Sequence, residues 1–568
     1  MFDLANDRLS YSELLRPDEK YTLDLAVGMT YSLDLEALLG IPLSLGLLDD
    51  PDPQAMANPL VILEAIRSSA DRIALFCNAG GIKLPNKVQS VYSLLENSVF
   101  QVVCPSGGNF HPKLWALRYH NEDGDAYIKL LVLSRNLTSD ASIDLCVSLR
   151  GKIGGRRRRK NAALSELLAY VSGFANDGKK EKILELAGEI RYVAAFEVEA
   201  PFEDYDFFPL GIPGHDGRAT ELFDDKRDLF VVSPFLSDDV VKKLTESPWR
   251  KVLVTRKASV TKKVTEAFDE VYITKEVLTD NEYQIRQDIH AKLYFTSTSA
   301  GNYLYIGSAN ASHNAFYKNV EVLLRLKYRP YYGGFQTIMN DFIPRENCPY
   351  ERLESVPETV RAEEEQLIAD RALREAVRTL LGAKAVSEGD TYRLVVSAGP
   401  RKEKEPVYLA PLQRRTMVLP LKEETVFRRL LLKELSAFFI PRVREEQVIV
   451  KLDTAGIPET RDDAIYRGII DTKEKFLSYL SFVLSDSYAA DAVELATEEQ
   501  LSRPARVGQN AAAFTAVYEK MLRVFHREPG RLGGIADMIR RLDPEVVGED
   551  FAQMYGQFEE AVRRRQDP

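Results

Sequence analysis

Cysteine is scarce in this sequence of 568 residues. The four cysteines form no CxxC pair, which excludes a zinc ribbon and a disulfide framework. We interpret all four as buried thiols. No run approaches the roughly 18 to 20 apolar residues of a membrane-spanning helix, and the start of the chain lacks the segments of a signal peptide. We therefore expect a cytoplasmic protein that does not bind a membrane. The cysteines are Cys77, Cys104, Cys146 and Cys348.

Positive charge is also in short supply, with 75 Lys and Arg residues against 85 Asp and Glu and a formal net charge of −10. This balance argues against a protein that coats nucleic acid through its overall charge, because such domains are usually basic. One segment departs from it: residues 150–160 hold seven basic residues in eleven, among glycines that predict a flexible loop. The loop either contacts nucleic-acid phosphates or is a solvated linker. The residues proposed for phosphate contact are Arg156, Arg157, Arg158, Arg159 and Lys160.

The order of the apolar segments predicts an internal duplication. Residues 1–210 and 211–335 each contain short strand-like runs separated by helical segments, and the runs follow one another in the same order. Strands alternating with helices predict an α/β fold of two α-β-α repeats, each a mixed, largely parallel sheet flanked by helices. The predicted strands lie at residues 73–77 and 99–103 in the first repeat and at 229–232, 251–255 and 271–274 in the second.

Residues 336–568 follow a different pattern and are predicted to form an α+β domain. An amphipathic helix is expected over residues 363–381 and should end at Gly382, since glycine is a preferred helix stop. A second helix is predicted for residues 425–439. Short strands are predicted around residues 392–397, 407–409, 416–419 and 448–452. Nothing in this domain indicates chemistry, so we interpret it as a structural or partner-docking module.

Two of the six histidines lie in the same sequence setting. Each begins a His-x-Lys triplet that is followed by an apolar run and then by a Ser-x-Asn triplet. On a strand, residues i and i+2 project from one face, so each His and Lys should point into a common space, to which the next strand adds Ser and Asn. The two sets are His111, Lys113, Ser134 and Asn136, and His290, Lys292, Ser308 and Asn310.

These residue types suit attack on a phosphodiester. A neutral imidazole is a nucleophile toward phosphorus, and a second, protonated imidazole can donate a proton to the departing oxygen. Lysines and asparagines can stabilise the negative charge that develops on the nonbridging oxygens. Because these side chains supply what a divalent cation would contribute, we predict catalysis without a metal ion or other cofactor.

The paired motifs resemble those of the phospholipase D superfamily, whose signature is HxK followed by GSxN in two copies. Gly307 completes the second copy, and Asn319-Val320-Glu321 is similar to the NxE of family nucleases. The resemblance implies that Glu321 orients a histidine through its other ring nitrogen. It suggests Asp144 for the matching part beside His111. It also favours His111 as the nucleophile and His290 as the acid. It covers residues 20–330 and implies two phospholipase D-like repeats followed by the C-terminal module.

The chain departs from the family pattern at three positions. Many members carry an aspartate five residues after the lysine, where this sequence has Arg118 and Ser297. The tyrosyl-DNA phosphodiesterase branch also lacks that aspartate, so the resemblance shifts toward nucleases and away from typical phospholipases. Leu133 replaces the glycine before the first Ser-x-Asn.

The leading hypothesis is a metal-independent nuclease that cleaves DNA or RNA through a phosphohistidine intermediate. Similarity to bacterial restriction and anti-phage effectors extends it to a defence role with a helicase or ATPase partner, docked through the C-terminal module. The alternatives are a phospholipase or phosphatidyl transferase and an inactive nucleic-acid-binding scaffold. Two motifs in one chain allow a complete site in a monomer, and oligomers remain compatible with the sequence.

Overall fold

The computed structural model describes residues 11–45, 58–105, 107–138, 142–216, 220–275, 278–280, 283–285, 288–345, 348–354, 364–484, 517–524 and 530–566. Within these ranges no helix is long and apolar enough to cross a membrane. All of the cysteines lie in them and are free thiols: Cys77 and Cys104 are buried, and Cys146 and Cys348 are partly buried.

The first repeat contains a six-stranded sheet in the order β5-β3-β1-β6-β7-β9. The strands of the whole repeat, including three outside this sheet, are β1 (Thr22–Thr30), β2 (Leu33–Asp34), β3 (Ile73–Asn78), β4 (Ile82–Lys83), β5 (Val99–Val102), β6 (Leu114–His120), β7 (Ala126–Leu133), β8 (Ser142–Ile143) and β9 (Cys146–Lys152). Its α-helices are α1 (Tyr11–Leu15), α2 (Leu35–Ser44), α3 (Pro59–Ser69), α4 (Ala162–Ser172) and α5 (Asp177–Ile190), with 3-10 turns at Ala70–Arg72 and Ser90–Ser98.

The second repeat contains an eight-stranded sheet in the order β10-β19-β18-β17-β11-β12-β13-β20. The strands of the whole repeat, including three outside this sheet, are β10 (Phe202–Leu210), β11 (Asp228–Val232), β12 (Arg250–Thr255), β13 (Glu270–Thr274), β14 (Leu278–Asp280), β15 (Tyr283–Ile285), β16 (Asp288–Ile289), β17 (Leu293–Thr298), β18 (Gly301–Gly307), β19 (Glu321–Tyr328) and β20 (Tyr350–Arg352). Its helices are α6 (Asp238–Thr245), α7 (Lys262–Ala267), α8 (His313–Tyr317) and α9 (Phe335–Phe342), with 3-10 turns at Lys257–Ser259 and Pro330–Tyr332.

The two sheets share one strand order. The series β13-β12-β11-β17-β18-β19 of the second sheet repeats the series β5-β3-β1-β6-β7-β9 of the first, with β10 and β20 added at the edges. The prediction of mixed sheets flanked by helices is confirmed. Strand β10 pairs with β19 and therefore belongs to the sheet of the second repeat, whereas a boundary after residue 210 assigns it to the first.

The expectation of largely parallel sheets was wrong. In the first sheet only β1, β3 and β5 run parallel to their neighbours, whereas β1-β6, β6-β7 and β7-β9 pair antiparallel. The second sheet has the same division. Short connections between the strands that flank the motifs allow only hairpin-like returns, because a parallel return needs a crossover of a dozen or more residues.

One apolar core joins the inner faces of the two sheets. Alternate residues of the central strands, such as Leu25 and Val27 of β1 and Phe230 and Val232 of β11, belong to the same buried cluster. The intervening residues face outward. Helices α2 and α3 cover the outer face of the first sheet, and α6 and α7 cover that of the second. The repeats therefore pack as one body, which fixes the relative position of their motif-bearing edges.

The C-terminal domain combines two small sheets with helices. Its helices are α10 (Glu364–Thr379), α11 (Thr460–Ile469), α12 (Lys473–Val483), α13 (Gly530–Arg541), α14 (Pro544–Val547) and α15 (Glu549–Gln566); residues 517–524 are also helical, and 3-10 turns lie at Leu412–Arg414 and Leu432–Glu434. Its strands are β21 (Leu380–Glu388), β22 (Thr391–Ala398), β23 (Tyr408–Pro411), β24 (Leu419–Pro420), β25 (Glu424–Leu430), β26 (Phe438–Val443), β27 (Glu446–Gln447), β28 (Val450–Lys451) and β29 (Thr454–Ala455).

Two predictions for this domain were wrong. Helix α10 ends at Thr379, and Gly382 lies inside β21 rather than at a helix stop. The segment predicted as a helix over residues 425–439 holds strand β25, a 3-10 turn and the start of β26. Its leucines, lysine and arginines favour a helix, but pairing of β25 with β22 buries Thr425, Phe427 and Leu430 and overrides that preference.

A buried ion pair joins the C-terminal domain to the first repeat. Arg461 donates to Glu96 over 2.5 Å, and each side chain is 7% exposed. The other carboxylate oxygen of Glu96 accepts hydrogen bonds from the Ser436 hydroxyl and the Ala437 N–H. Lys451 adds a bond to the Val99 carbonyl. Such a fully bonded contact holds the module in one position, because removing any partner would leave a buried charge unpaired.

Candidate active site

Each His-x-Lys triplet lies in the segment immediately before a strand, not on the strand as expected. His111 and Lys113 precede β6, and His290 and Lys292 precede β17. Both lysines turn back toward their own histidine. Lys113 Nζ donates to the His111 carbonyl over 3.1 Å, and Lys292 Nζ donates to the His290 carbonyl. The two copies thus have the same local geometry.

The Ser-x-Asn triplets follow the strands next to these segments. Ser134 comes directly after β7, whose Leu133 N–H bonds to the Lys113 carbonyl, and Ser308 comes directly after β18. Antiparallel pairing of β6 with β7 and of β17 with β18 therefore brings all four triplets to the sheet edges where the repeats meet.

The two serines hold the segments that carry the carboxylates. Ser134 accepts a hydrogen bond from the Leu145 N–H over 2.8 Å, next to Asp144. Ser308 accepts one from the Val322 N–H over 2.9 Å, next to Glu321. Both hydroxyls are fully buried, so their structural task is to position the neighbouring strand.

The repeats exchange backbone hydrogen bonds at the site. His111 N–H donates to the Val320 carbonyl over 2.9 Å, and the Phe110–Val320 bridge runs parallel. In the other direction, the N–H groups of His290 and Ala291 donate to the Ile143 carbonyl over 3.1 and 3.0 Å. Each histidine segment is therefore paired with the carboxylate segment of the opposite repeat.

This exchange corrects the expected partner of His111. The carboxylate beside it is Glu321 of the second repeat, whose Oε2 lies 2.8 Å from His111 Nδ1, rather than Asp144 of its own repeat. Glu321 is completely buried, and its Oε1 accepts a bond from the Asn319 amide over 3.0 Å. Asp144 instead accepts bonds from the hydroxyls of Ser134 and Ser142. Its burial raises the pKa of the Asp144 carboxyl, which those hydroxyls and nearby cations oppose.

His111 is neutral near pH 7. Burial lowers its pKa to about 4; Glu321 acts against this effect, and the charges of Lys113 and Lys292 add to it. A carboxylate can only accept a hydrogen bond, so the proton of the neutral ring sits on Nδ1 and points to Glu321. The lone pair is therefore on Nε2, which is the form that attacks phosphorus.

The two lysines lie close together in the protein interior. Lys113 is 1% exposed and Lys292 is 3% exposed. Burial lowers the pKa of Lys113 well below its usual range, Lys292 lowers it further, and Glu321 and Asp144 oppose the shift. An anion bound beside the two lysines would oppose this shift, because its negative charge stabilises the protonated form of a lysine.

The asparagines hold the corresponding positions in the two copies. The side-chain oxygens of Asn136 and Asn310 are buried, and no donor among the described residues bonds to either. An amide placed in this way has capacity left for a ligand, and the assignment of its oxygen and nitrogen can be exchanged. The side chains of His111, Lys113, Lys292 and Glu321 thus meet at the junction between the repeats, where His290 pairs with the first repeat through its backbone.

Three further residues support the His111 segment, and sequence reasoning missed two of them, Tyr31 and Asn78. The Tyr31 ring lies 5.0 Å from the His111 ring. Asn78 accepts a bond from the Phe110 N–H over 2.9 Å, and Asn319 accepts one from the Asn109 N–H over 3.0 Å. Tyr31 directly follows strand β1, and Asn78 ends strand β3. Polar residues at the ends of adjacent parallel strands are a signal that could have identified both.

The basic loop lies away from the motifs. Strand β9 pairs with β7 so that Cys146 is opposite Leu133, at the site, and Lys152 is opposite Tyr127, at the far end. Residues 156–160 follow that far end, about 20 Å from the motif edge at 3.3 Å per residue. Lys160 bonds to Asp204 and lies over the Tyr205 ring. Contact of this loop with nucleic acid stays a prediction, and such contact would be remote from the histidines.

The described residues contain no group of three or more His, Cys, Asp and Glu side chains that could hold a metal ion. The charged groups of the site are instead the two lysines, Glu321 and Asp144, which is a set that suits a phosphate oxygen better than a cation.

The sequence matches no protein-family model and no curated protein sequence. Among solved structures, a yeast tyrosyl-DNA phosphodiesterase is 14% identical with a TM-score of 0.37, over 56% of this chain and 86% of that chain. A phosphatidylserine synthase from Haemophilus influenzae is 12% identical with a TM-score of 0.34, over 62% and 86%. Nuc from Salmonella typhimurium, described as a phospholipase D family member, is 13% identical with a TM-score of 0.20, over 27% and 99%.

All three proteins are members of the phospholipase D superfamily, the family that the paired motifs resemble. Their TM-scores are below 0.5.

Proposed function

We propose that this protein is a metal-independent phosphodiesterase that cleaves a nucleic-acid strand through a phosphohistidine intermediate. The observation that carries the proposal is the buried hydrogen bond from His111 Nδ1 to Glu321 beside two buried lysines. It supports a neutral imidazole with Nε2 as the nucleophile, next to two lysines whose protonated forms a phosphate would stabilise.

The reaction has two steps. His111 Nε2 attacks phosphorus, the bond from phosphorus to the leaving oxygen breaks, and His290 gives that oxygen a proton. A water molecule then attacks the phosphorus, His290 takes its proton, and the nitrogen–phosphorus bond breaks to restore the His111 lone pair. Lys113, Lys292, Asn136 and Asn310 bind the nonbridging oxygens in both steps. Ser134 and Ser308 position the segments that carry Asp144 and Glu321.

DNA and RNA are both candidate substrates. A nucleic acid is favoured over a lipid headgroup by the family branch that the motifs resemble and by the exposed arginines close to the site, described below. A role in bacterial anti-phage defence or restriction, with a helicase or ATPase partner, rests on the family resemblance alone.

The test is cleavage of labelled single- and double-stranded DNA and RNA, and of lipid vesicles, in excess EDTA. Cleavage of nucleic acid that persists in EDTA and is lost in His111→Ala and His290→Ala is expected. His120→Ala is a matched control, because His120 is also paired with a carboxylate, Asp24, but lies at the far end of β6.

Three results would contradict the proposal. Loss of cleavage in EDTA would show that a metal ion is required. Headgroup release from vesicles without cleavage of any nucleic acid would establish the lipid-directed alternative. Binding of nucleic acid without any turnover would establish the inactive scaffold.

A further inference from the structure

A groove beside the active site is formed by the C-terminal domain. One face of helix α10 lies against the loop that precedes His111: Val377 packs against Gly80, and the Arg378 guanidinium donates to the Gly107 carbonyl over 3.1 Å. Between them lies a cavity of about 420 Å³. Its walls include Asn109, Lys318, Arg371, Arg374 and Arg378.

The groove continues toward the catalytic histidine. A second cavity, of about 230 Å³, shares Asn109, Arg374 and Arg378 with the first and reaches Tyr31. The Tyr31 ring lies 5.0 Å from the His111 ring. Asn109 is two residues from His111, and the two cavities together form a path from the surface of α10 to Tyr31 beside that histidine. We call this path the α10 groove.

The charge of the α10 groove is mainly positive at its outer end. Arg371, Arg374 and Arg378 are exposed and spaced three and four residues apart, which puts them on one helix face. Lys318 is exposed on the opposite wall. The carboxylate among them, Glu375, accepts hydrogen bonds from the backbone N–H groups of Lys402 and Glu403, which lower its pKa.

The inner cavity is closer to balanced. Asp370 and Glu446 line it together with Arg374 and Arg378, and Asp370 lies 3.6 Å from Arg374. The Arg374 side chain is nevertheless 66% exposed, so this pair is a weak surface contact that a phosphate can replace.

We propose that the α10 groove binds the phosphate backbone of a single nucleic-acid strand on one side of the bond that is cut. This inference rests on the proposed function and adds the substrate form and its binding surface. Seven residues separate Arg371 from Arg378, or about 10.5 Å of helix, which matches about three phosphates of a stacked strand at 3.4 Å each. Arginine is suited to phosphate because its planar group binds two oxygens at once.

The form of the site selects one strand. Lys113, Lys292 and Glu321 are buried, so the phosphate that reacts has to leave the surface and enter the protein. A flexible single strand can do this, and a positively charged groove with an aromatic ring beside it is typical of single-strand binding. The buried Glu96–Arg461 pair fixes the domain that carries α10, which keeps the groove in line with His111.

Binding is measured first, on a His111→Ala background in EDTA so that no strand is cut. The test variant adds Arg371→Gln, Arg374→Gln and Arg378→Gln, and the probe is a labelled 20-nucleotide DNA strand. The matched control removes the same charge from exposed arginines elsewhere in the domain, with Arg415→Gln, Arg428→Gln and Arg540→Gln. Since Arg378 also bonds to Gly107, a double variant at Arg371 and Arg374 separates charge from loop structure.

The triple variant is expected to bind the strand at least tenfold more weakly, and the control variant to bind as the parent does. The slope of log affinity against log salt should fall by about 2 for the triple variant, since each phosphate contact on a single strand contributes about 0.7. Affinity and slope equal to those of the parent would overturn the groove. If the parent bound a blunt duplex as tightly as the single strand, and the triple variant lost that binding too, the preference of the groove for one strand would be overturned.

Turnover separates this inference from the proposed function. With His111 present, the triple variant should raise KM for the strand at least tenfold and should slow hydrolysis of the small diester bis(4-nitrophenyl) phosphate less, because a small diester makes fewer contacts with α10. If the wild type hydrolyses no phosphodiester at all, the proposed function fails, and the binding experiment still decides the groove. If the triple variant loses both activities while the double variant keeps both, the effect comes from the Gly107 loop and the groove is overturned.

Discussion

The two halves of the active site have the same strand order but use their carboxylates differently. In the second repeat, Glu321 has one oxygen on His111 and the other on the Asn319 amide. In the first repeat, Asp144 has its oxygens on the hydroxyls of Ser134 and Ser142. The two halves therefore share a framework, while the hydrogen-bond partners of their carboxylates differ. The bond to Glu321 gives His111 a fixed tautomer and supports its role as the nucleophile.

The largest expected effect is on the covalent intermediate. With a nitrophenyl diester, whose leaving group needs no acid, His290→Ala should form the phosphohistidine and release it slowly, so that label accumulates on His111. His111→Ala should form no adduct and lose roughly a thousandfold or more in rate. Peptide mapping by mass spectrometry under alkaline conditions locates the adduct. An adduct on His290 in the His111→Ala protein would reverse the comparison between the halves.

A smaller but unequal effect is expected from the two carboxylates. Glu321→Gln should lower kcat by about 10² to 10⁴, because the amide cannot hold the Nδ1 proton as a carboxylate does. Asp144→Asn should cost about tenfold or less, since the serine hydroxyls can still bond to the amide. Both rates are measured on the nitrophenyl diester, with circular dichroism to check the fold. Equal losses would show that the halves are equivalent.

The pH dependence sharpens the same comparison. His111 has its pKa lowered to about 4, so kcat/KM should show no fall near pH 6.5 as the pH is lowered and should decline only toward pH 4. Glu321 raises the pKa of His111, so Glu321→Gln should move that decline to still lower pH. An acid limb with its midpoint near 6.5 in a folded protein would show that His111 titrates like an exposed histidine.

The smallest difference is expected for the two serines. Ser134→Ala and Ser308→Ala each remove the acceptor of a buried backbone N–H, which costs roughly 1 to 3 kcal/mol in the free energy of unfolding. The two losses should agree to within about 1 kcal/mol, with Ser134→Ala the larger, because Ser134 also donates to the Asp144 carboxylate whereas Ser308 donates to the Val322 carbonyl. Urea unfolding measures both. A large difference would show that the framework has diverged as well.

The sequence predicted the motif residues and the strands next to them, because triplet spacing and apolar runs are local signals. It did not predict which carboxylate meets His111, since Glu321 is 210 positions away and its approach depends on pairing between the repeats. The helix expected over residues 425–439 failed for a related reason, as pairing with β22 overrode local preference. The α10 groove gave no signal, because its walls come from several segments that are distant in the sequence.

The exchange of backbone bonds at Phe110–Val320 and Ile289–Ile143 has a consequence for the engineering of this chain. A gene encoding only one half would give a protein whose histidine segment lacks the segment of the other half with which it pairs. Such a protein would have to associate with a second copy to complete its site. By the same reasoning, the halves expressed as separate polypeptides should each be inert and should regain activity when mixed.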